Sequence, residues 1–418
     1  MTSEDGTDSG PRPAAPVDAA GAGAPPAGTA LEVFRVSLEL GLIAFGGPIA
    51  HLGYFERVYV SRCRWLEPAQ YANLVALCQT LPGPNSNQVG FLVGLWRAGW
   101  PGALAAWLGF TLPSALLMYA LARLEPMLHA PLALAVVHGL KLAAVAIVAQ
   151  AVWAMAVRQC PDLVRALIGV AATVALLLAG AAYQFAALGA AAIAGMLFCR
   201  SLTLAPAAAR RLCGARAGWI ALTVFAVLLI GLPALALGAP HGYLALANIF
   251  YRAGSMVFGG GHVVLPLLRD ALVPGGWVSD DVFLAGYGMA QAMPGPLFTI
   301  SAYLGAAAAP AGATAAWSLV ACLTIFTPGL LLAAAAAALW GRLAHHPLVP
   351  AALAGVNAAV VGVLAAALYD PVWTTTVTSG GDALVVFVAL ALLMRPGTRP
   401  LLVVALSVVA SALSVLGH

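Results

Sequence analysis

Charge is what this chain has least of. Lys, Arg, Asp and Glu make up 8% of its 418 residues, against about 25% in a soluble domain, and Lys141 is the one lysine among 19 basic residues. A water-soluble enzyme, a disordered chain and a DNA-binding protein are all excluded, the last because no basic run marks a nucleic-acid surface. The 6 cysteines, Cys63, Cys78, Cys160, Cys199, Cys213 and Cys322, form no CxxC pair and no His/Cys cluster, which argues against structural zinc or an iron–sulfur cluster. A G-x-x-x-x-G-K-[ST] loop is also missing, so ATP does not drive the chain from within. Residues 1–29 lack the basic and apolar regions of a signal peptide. Their Ala, Pro, Gly and Asp content reads as a disordered tail.

Apolar side chains are abundant, at 62% of the sequence. At ~20 residues per spanning helix, that sets a ceiling of roughly 13 spans. The chain also holds 44 glycines and 28 prolines, more than straight spanning helices need. Both residues are tolerated in membranes where helices break around a site.

The breaks recur in order. Phe45-Gly46-Gly47 returns as Phe258-Gly259-Gly260, Trp65 as Trp277, Gln79 as Gln291, and Pro82-Gly83-Pro84 as Pro294-Gly295-Pro296. Phe110-Thr111-Leu112-Pro113 then matches Phe326-Thr327-Pro328, and Gly139-Leu140-Lys141 falls opposite Gly355-Val356-Asn357. Ordered recurrence of this kind is the mark of a duplicated unit. The sequence divides into a first repeat over 30–200, a linker with one transmembrane helix over 201–243, and a second repeat over 244–418.

Each unit opens with two interrupted elements: 31–45 and 49–62, then 68–81 and 85–97 in the first. Arms of ~14 residues reach ~20 Å at 1.5 Å per residue, short of the ~30 Å hydrocarbon core. They are expected to be half-helices or re-entrant arms. Conventional helices are expected near 102–123, 132–157, 163–179 and 182–199, near 218–238 in the linker, and near 312–342, 349–369, 382–394 and 400–416. The predicted fold is an all-α polytopic membrane protein with about 9–13 membrane segments. If both interrupted elements cross, or both re-enter, the crossings before unit two are odd in number and the repeats are inverted. The positive-inside rule then gathers Arg158, Arg165, Arg200, Arg210, Arg211, Arg216, Arg342, Arg395 and Arg399 on the cytoplasmic side, with the amino terminus cytoplasmic and the carboxyl terminus external.

Inverted repeats with paired Gly/Pro interruptions point to a secondary transporter's midplane site. A helix restarting inside the membrane offers unpaired N–H groups and a positive dipole end, which suit an oxyanion. The F-G-G-P segment, the following Trp and the P-G-P turn, duplicated over about 31–395, resemble the two-domain form of the chromate ion transporter family. The resemblance implies export of chromate across the bacterial inner membrane, chromate resistance, and sulfate as competitor or counter-ion. The implied partners are these anions and the lipid bilayer, with a homodimer left open; no cofactor, metal or catalytic residue is expected. Unit two departs from unit one, with Gly261 in place of Pro48 and Leu297-Phe298-Thr299 in place of Asn85-Ser86-Asn87. A sulfate importer or exchanger, a membrane redox enzyme and a passive anion channel stand as alternatives.

Candidate substrate contacts are the backbone at Gly46, Gly47, Gly83, Gly259, Gly260 and Gly295, and the side chains of Asn85, Ser86, Asn87, Gln88, Thr299 and Lys141. Amide and hydroxyl donors at a helix N-terminus replace an oxyanion's water shell, although Asn and Ser are also ordinary N-caps. Lys141 sits in an apolar run where charge is costly. It has three readings: neutralising part of a dianion's charge, pairing with Glu39, or a lysine deprotonated by desolvation. His138, one helical turn away, reads chiefly as a packing or hydrogen-bonding residue. Gln79, Gln291 and Glu39 are supporting residues. Trp65, Trp96, Trp100, Trp107, Trp277 and Trp317 are expected at the membrane interfaces.

Overall fold

The computed structural model describes residues 28–45, 47–124, 131–180, 183–199, 213–239, 241–257, 264–343, 348–395, 398 and 400–416. Gly46, Gly259, Gly260 and residues 1–27 of the expected tail lie outside the described residues. Gly28 and Thr29, assigned to that tail, are part of the fold: the Thr29 side chain accepts from Glu32 N–H at 3.1 Å and caps α1 (Ala30–Ile43).

Among the described residues the structure is helical and contains no strand. It is an all-α polytopic membrane protein, and the described residues hold five helices long and apolar enough to cross a bilayer and five shorter apolar ones. After α1 the chain restarts at Gly47 in α2 (Gly47–Phe55), which widens into a π-helical segment over Glu56–Arg62. Helix α3 (Pro68–Gln79) begins at Pro68 behind a Glu67/Gln70 capping box, the arrangement that satisfies N-terminal N–H groups from both sides. Helix α4 (Asn85–Leu124) is continuous only in number, because Ala98 and Gly99 leave helical geometry. A Cβ placed on Gly94 would lie 2.3 Å from the Gly102 carbonyl, whereas residues eight apart in a straight helix stand ~12 Å apart. The arms therefore fold back on each other at 98–99, and only the second is long enough to span. The expected boundary between 97 and 102 is where the chain turns.

Beyond α4 run α5 (Pro131–Gln159), α6 (Leu163–Ala179), α7 (Gln184–Phe198) and the linker helix α8 (Ala215–Ala236). The second half holds α9 (Tyr243–Ser255), α10 (Val264–Leu272), α11 (Asp280–Ala292), a 3-10 turn over Leu297–Thr299, α12 (Ile300–Ala307) and α13 (Thr314–Leu343). It closes with α14 (Leu348–Ala367), a π-helical segment over Leu368–Trp373, the single turn α15 (Thr374–Thr376), α16 (Gly380–Leu393) and α17 (Pro400–Leu416).

Small residues set the packing, as expected where lipid removes the hydrophobic drive between helices. A Cβ on Gly41 of α1 would meet Phe110 O at 2.7 Å, and one on Gly254 of α9 would meet Ile325 O at 2.1 Å. Gly41 and Gly254 are matched positions in the two halves, and the Cβ on Gly41 would also approach Gly109 O, the counterpart of Ile325 O, at 2.9 Å. Further out the pairing crosses over. Gly139 of α5 lies against Ser407 and Val408 of α17, while Gly355 of α14 lies against Ala191 and Gly195 of α7. Leu178, Ile230 and Leu237 on the rim are 83%, 75% and 85% exposed, which marks a lipid-facing surface. Not all tryptophans go to that rim: Trp65 is buried and stacks on Tyr59, and Trp317 is buried against Trp277. Neighbouring rings enclose both, so neither presents its ring to lipid.

Candidate functional site

The two P-G-P turns meet. Gly83 N–H donates to Val257 O at 2.6 Å and Gly295 N–H donates to Ala44 O at 2.8 Å. Val257 and Ala44 each precede the F-G-G of the opposite half, so each turn is bonded to the other half's first break. Both glycines have positive φ, +122° and +92°, a region closed to most side chains. Space is closed too: a Cβ on Gly83 would sit 2.7 Å from Gly329 Cα, and one on Gly295 would sit 2.8 Å from Ser114 Oγ.

Between the turns lies a small cavity. Pro84 to Asn87 and His51 line it from the first half, Pro296 to Phe298 from the second. It has room for about one water-sized sphere, so an oxyanion would require the walls to part. Two helix starts border it, α4 and the 3-10 turn leading into α12. In α4 the Gln88 N–H bonds to Pro84 O at 3.0 Å, and the N–H groups before it belong to the first turn, which has no intrahelical acceptors. Positive dipole ends from both halves thus border one space.

The four polar residues at the start of α4 are all buried, and they divide by task. Gln88 Nε2 donates to Pro82 O at 2.8 Å and to Gly329 O at 3.0 Å, clamping the first turn to α13. The Asn85 amide, its nitrogen turned toward Cys78 O and Gly83 O at 3.3 and 3.2 Å, braces the α3–α4 connection while bordering the cavity. Asn87 Nδ2 donates to Thr111 Oγ1 at 2.9 Å and leaves Oδ1 unpartnered. Since a hydroxyl either donates or accepts, Thr111 serves either orientation of that amide, and Asn87 is able to turn a donor toward the cavity. Ser86 Oγ lies 3.2 Å from His51 Nδ1.

The second half offers apolar walls. Leu297 and Phe298 face the cavity, and the buried Thr299 hydroxyl is spent on Pro296 O at 2.8 Å. Gly47 opens α2 with φ +79°. Gln79 ends α3 and Gln291 lies one residue from the end of α11, each just before its P-G-P turn.

Lys141 is not brought to the cavity. Its ammonium pairs with Asp281 at the start of α11, and the neighbouring His138 Nε2 lies 2.8 Å from Asp382 Oδ1 on α16. Glu39 pairs instead with Arg62 through two contacts of 2.5 and 2.8 Å, so the suggested Lys141–Glu39 pair does not form. Arg97 pairs with Glu32 at 3.1 Å. His51 escaped the sequence reading. Its one signal was a histidine in an apolar arm whose counterpart, 213 residues on, is Val264.

Two short-armed halves tied around a small cavity, polar on one side and apolar on the other, in an apolar helical body fit a multi-pass membrane transporter. The chromate transporter family model matches residues 31–241 and 244–412, and the chain belongs to that family. It is 31% identical over 371 residues to the chromate transport protein of Pseudomonas aeruginosa, covering 86% of this chain and 85% of that one. It is 27% identical to a probable chromate transport protein of Synechococcus elongatus, over 82% and 84% of the two chains. An uncharacterized transporter of Methanocaldococcus jannaschii is 25% identical over 91% and 93%. No solved structure matches the chain.

Proposed function

We propose that this protein is a secondary transporter that exports chromate across the bacterial inner membrane by alternating access and so confers chromate resistance. The observation that carries the reading is the cavity between the two P-G-P turns, where helix starts from both halves and the Ser86 and Asn87 side chains converge. Chromate is a tetrahedral dianion built entirely of acceptor oxygens, and N–H and O–H donors at helix starts match it. Sulfate shares that shape and charge and acts as competitor or counter-ion.

The two halves are inverted with respect to each other, with the amino terminus cytoplasmic and the carboxyl terminus external. Rocking one half against the other opens the cavity to alternate sides. The crossed bonds from Gly83 to Val257 and from Gly295 to Ala44 are the contacts such a motion loads. Polar walls on one half and apolar walls on the other let the anion stay with the first half while the second moves away. An inside-negative potential favours export by about 2.3 kcal/mol per charge per 100 mV, and a dianion carries that twice.

Flux in proteoliposomes tests the reading. Saturable chromate movement that accelerates when the loaded side is made negative, and that sulfate inhibits, is the expected result. Electrically silent flux, or none, would sink the voltage-driven export.

A further inference from the structure

His51 is 2% exposed, yet its Nε2 has no hydrogen-bond partner. An orphaned nitrogen in a buried ring is costly unless something else completes it. The rest of the ring is held. Nδ1 lies 3.2 Å from Ser86 Oγ, and the ring meets Phe110 edge-on with centroids 5.4 Å apart. The Ala44 carbonyl, which accepts the Gly295 N–H, lies nearby but forms no hydrogen bond with Nε2. The ring also lines the cavity bordered by the start of α4.

We infer that His51 is a direct ligand of the transported oxyanion, with Nε2–H donating to one of its oxygens. The inference rests on the cavity being the transport site and assigns that site a further specificity-determining residue. The tautomer follows from the partners. When the Ser86 hydroxyl donates to Nδ1, the proton sits on Nε2, and a fully deprotonated tetrahedral dianion, which only accepts, selects that arrangement. Ser86 then has two tasks, bordering the anion and fixing the ring that reaches it. The second half has Val264 at the matching position, so the histidine reinforces the one-sidedness of the site: the anion is gripped by α2 and α4 and merely enclosed by Leu297 and Phe298.

Two conservative variants separate a ligand from a structural histidine, because a glutamine amide reaches the position of Nε2 and an asparagine amide that of Nδ1. The readouts are half-saturation and maximal rate of chromate flux by the full chain in proteoliposomes, with sulfate inhibition alongside. His51→Asn is expected to raise half-saturation for both anions about 10- to 100-fold, the worth of one hydrogen bond to a charged group, with a smaller change in maximal rate. His51→Gln should stay within about 3-fold of the parent chain, since it restores a donor at the same place. Unchanged half-saturation in both variants, or Asn rescuing better than Gln, would overturn the assignment. A parent chain that moves neither anion would instead overturn the transport reading beneath it.

Discussion

Gly83 and Gly47 separate two reasons for keeping a glycine. Both have positive φ, but Gly83 faces Gly329 Cα at 2.7 Å from a would-be Cβ, while Gly47 has nothing within 4 Å. Gly47→Ala is therefore expected to cost only backbone strain, about 1–2 kcal/mol. Gly83→Ala adds the cost of overpacking against backbone, about 1–3 kcal/mol more. Thermal unfolding of the purified variants should rank them in that order, and equal midpoints would show that the turn yields. Much at this scale was legible in the sequence. The Asn85 to Gln88 run marked the start of a helix, and the P-G-P glycines marked their turns. What each side chain does was not legible, because its partners are distant in the chain: Gln88 bonds to Gly329, 241 residues on. His51 was hidden by the same problem, since a lone histidine in an apolar arm signals nothing until its unpartnered nitrogen is located in a cavity.

Elements were easier to read than their pairings. Gly and Pro punctuation marked the short arms, and the turn at Ala98–Gly99 fell inside the expected gap. The π-helical segments at Glu56–Arg62 and Leu368–Trp373 left no comparable mark, since a one-residue widening keeps the apolar content unchanged. Crossed packing of α5 on α17 and α14 on α7 was equally invisible, because small-residue contacts have no directional code. This packing also explains Lys141. A position deep in an apolar run suggested the substrate, yet α5 lies beside α11, and the ammonium is neutralised by Asp281, whose side chain is 75% exposed. A double-mutant cycle with Lys141→Ala and Asp281→Ala should show a coupling of about 0.5–1 kcal/mol in stability. Each single variant should leave chromate half-saturation within a few-fold of the parent chain. Additive effects on stability, or a large loss of affinity from Lys141→Ala alone, would return the lysine to the binding site.

At the scale of the whole molecule, two halves that each match the chromate transporter family model border the cavity unevenly. Matched glycines make matched backbone contacts, while the residues bordering the cavity diverge into Asn-Ser-Asn on one half and Leu-Phe on the other. In the proposed transport cycle the polar half holds the anion while the apolar half moves away from it. The central claim is that the space between the P-G-P turns is where the anion binds, and chromate flux through a Ser86→Ala/Asn87→Leu double variant in proteoliposomes tests it most directly. Loss of two hydrogen-bonding side chains should raise half-saturation at least about 10-fold in protein that remains folded and monodisperse. The same half-saturation as the parent chain would place the binding site elsewhere.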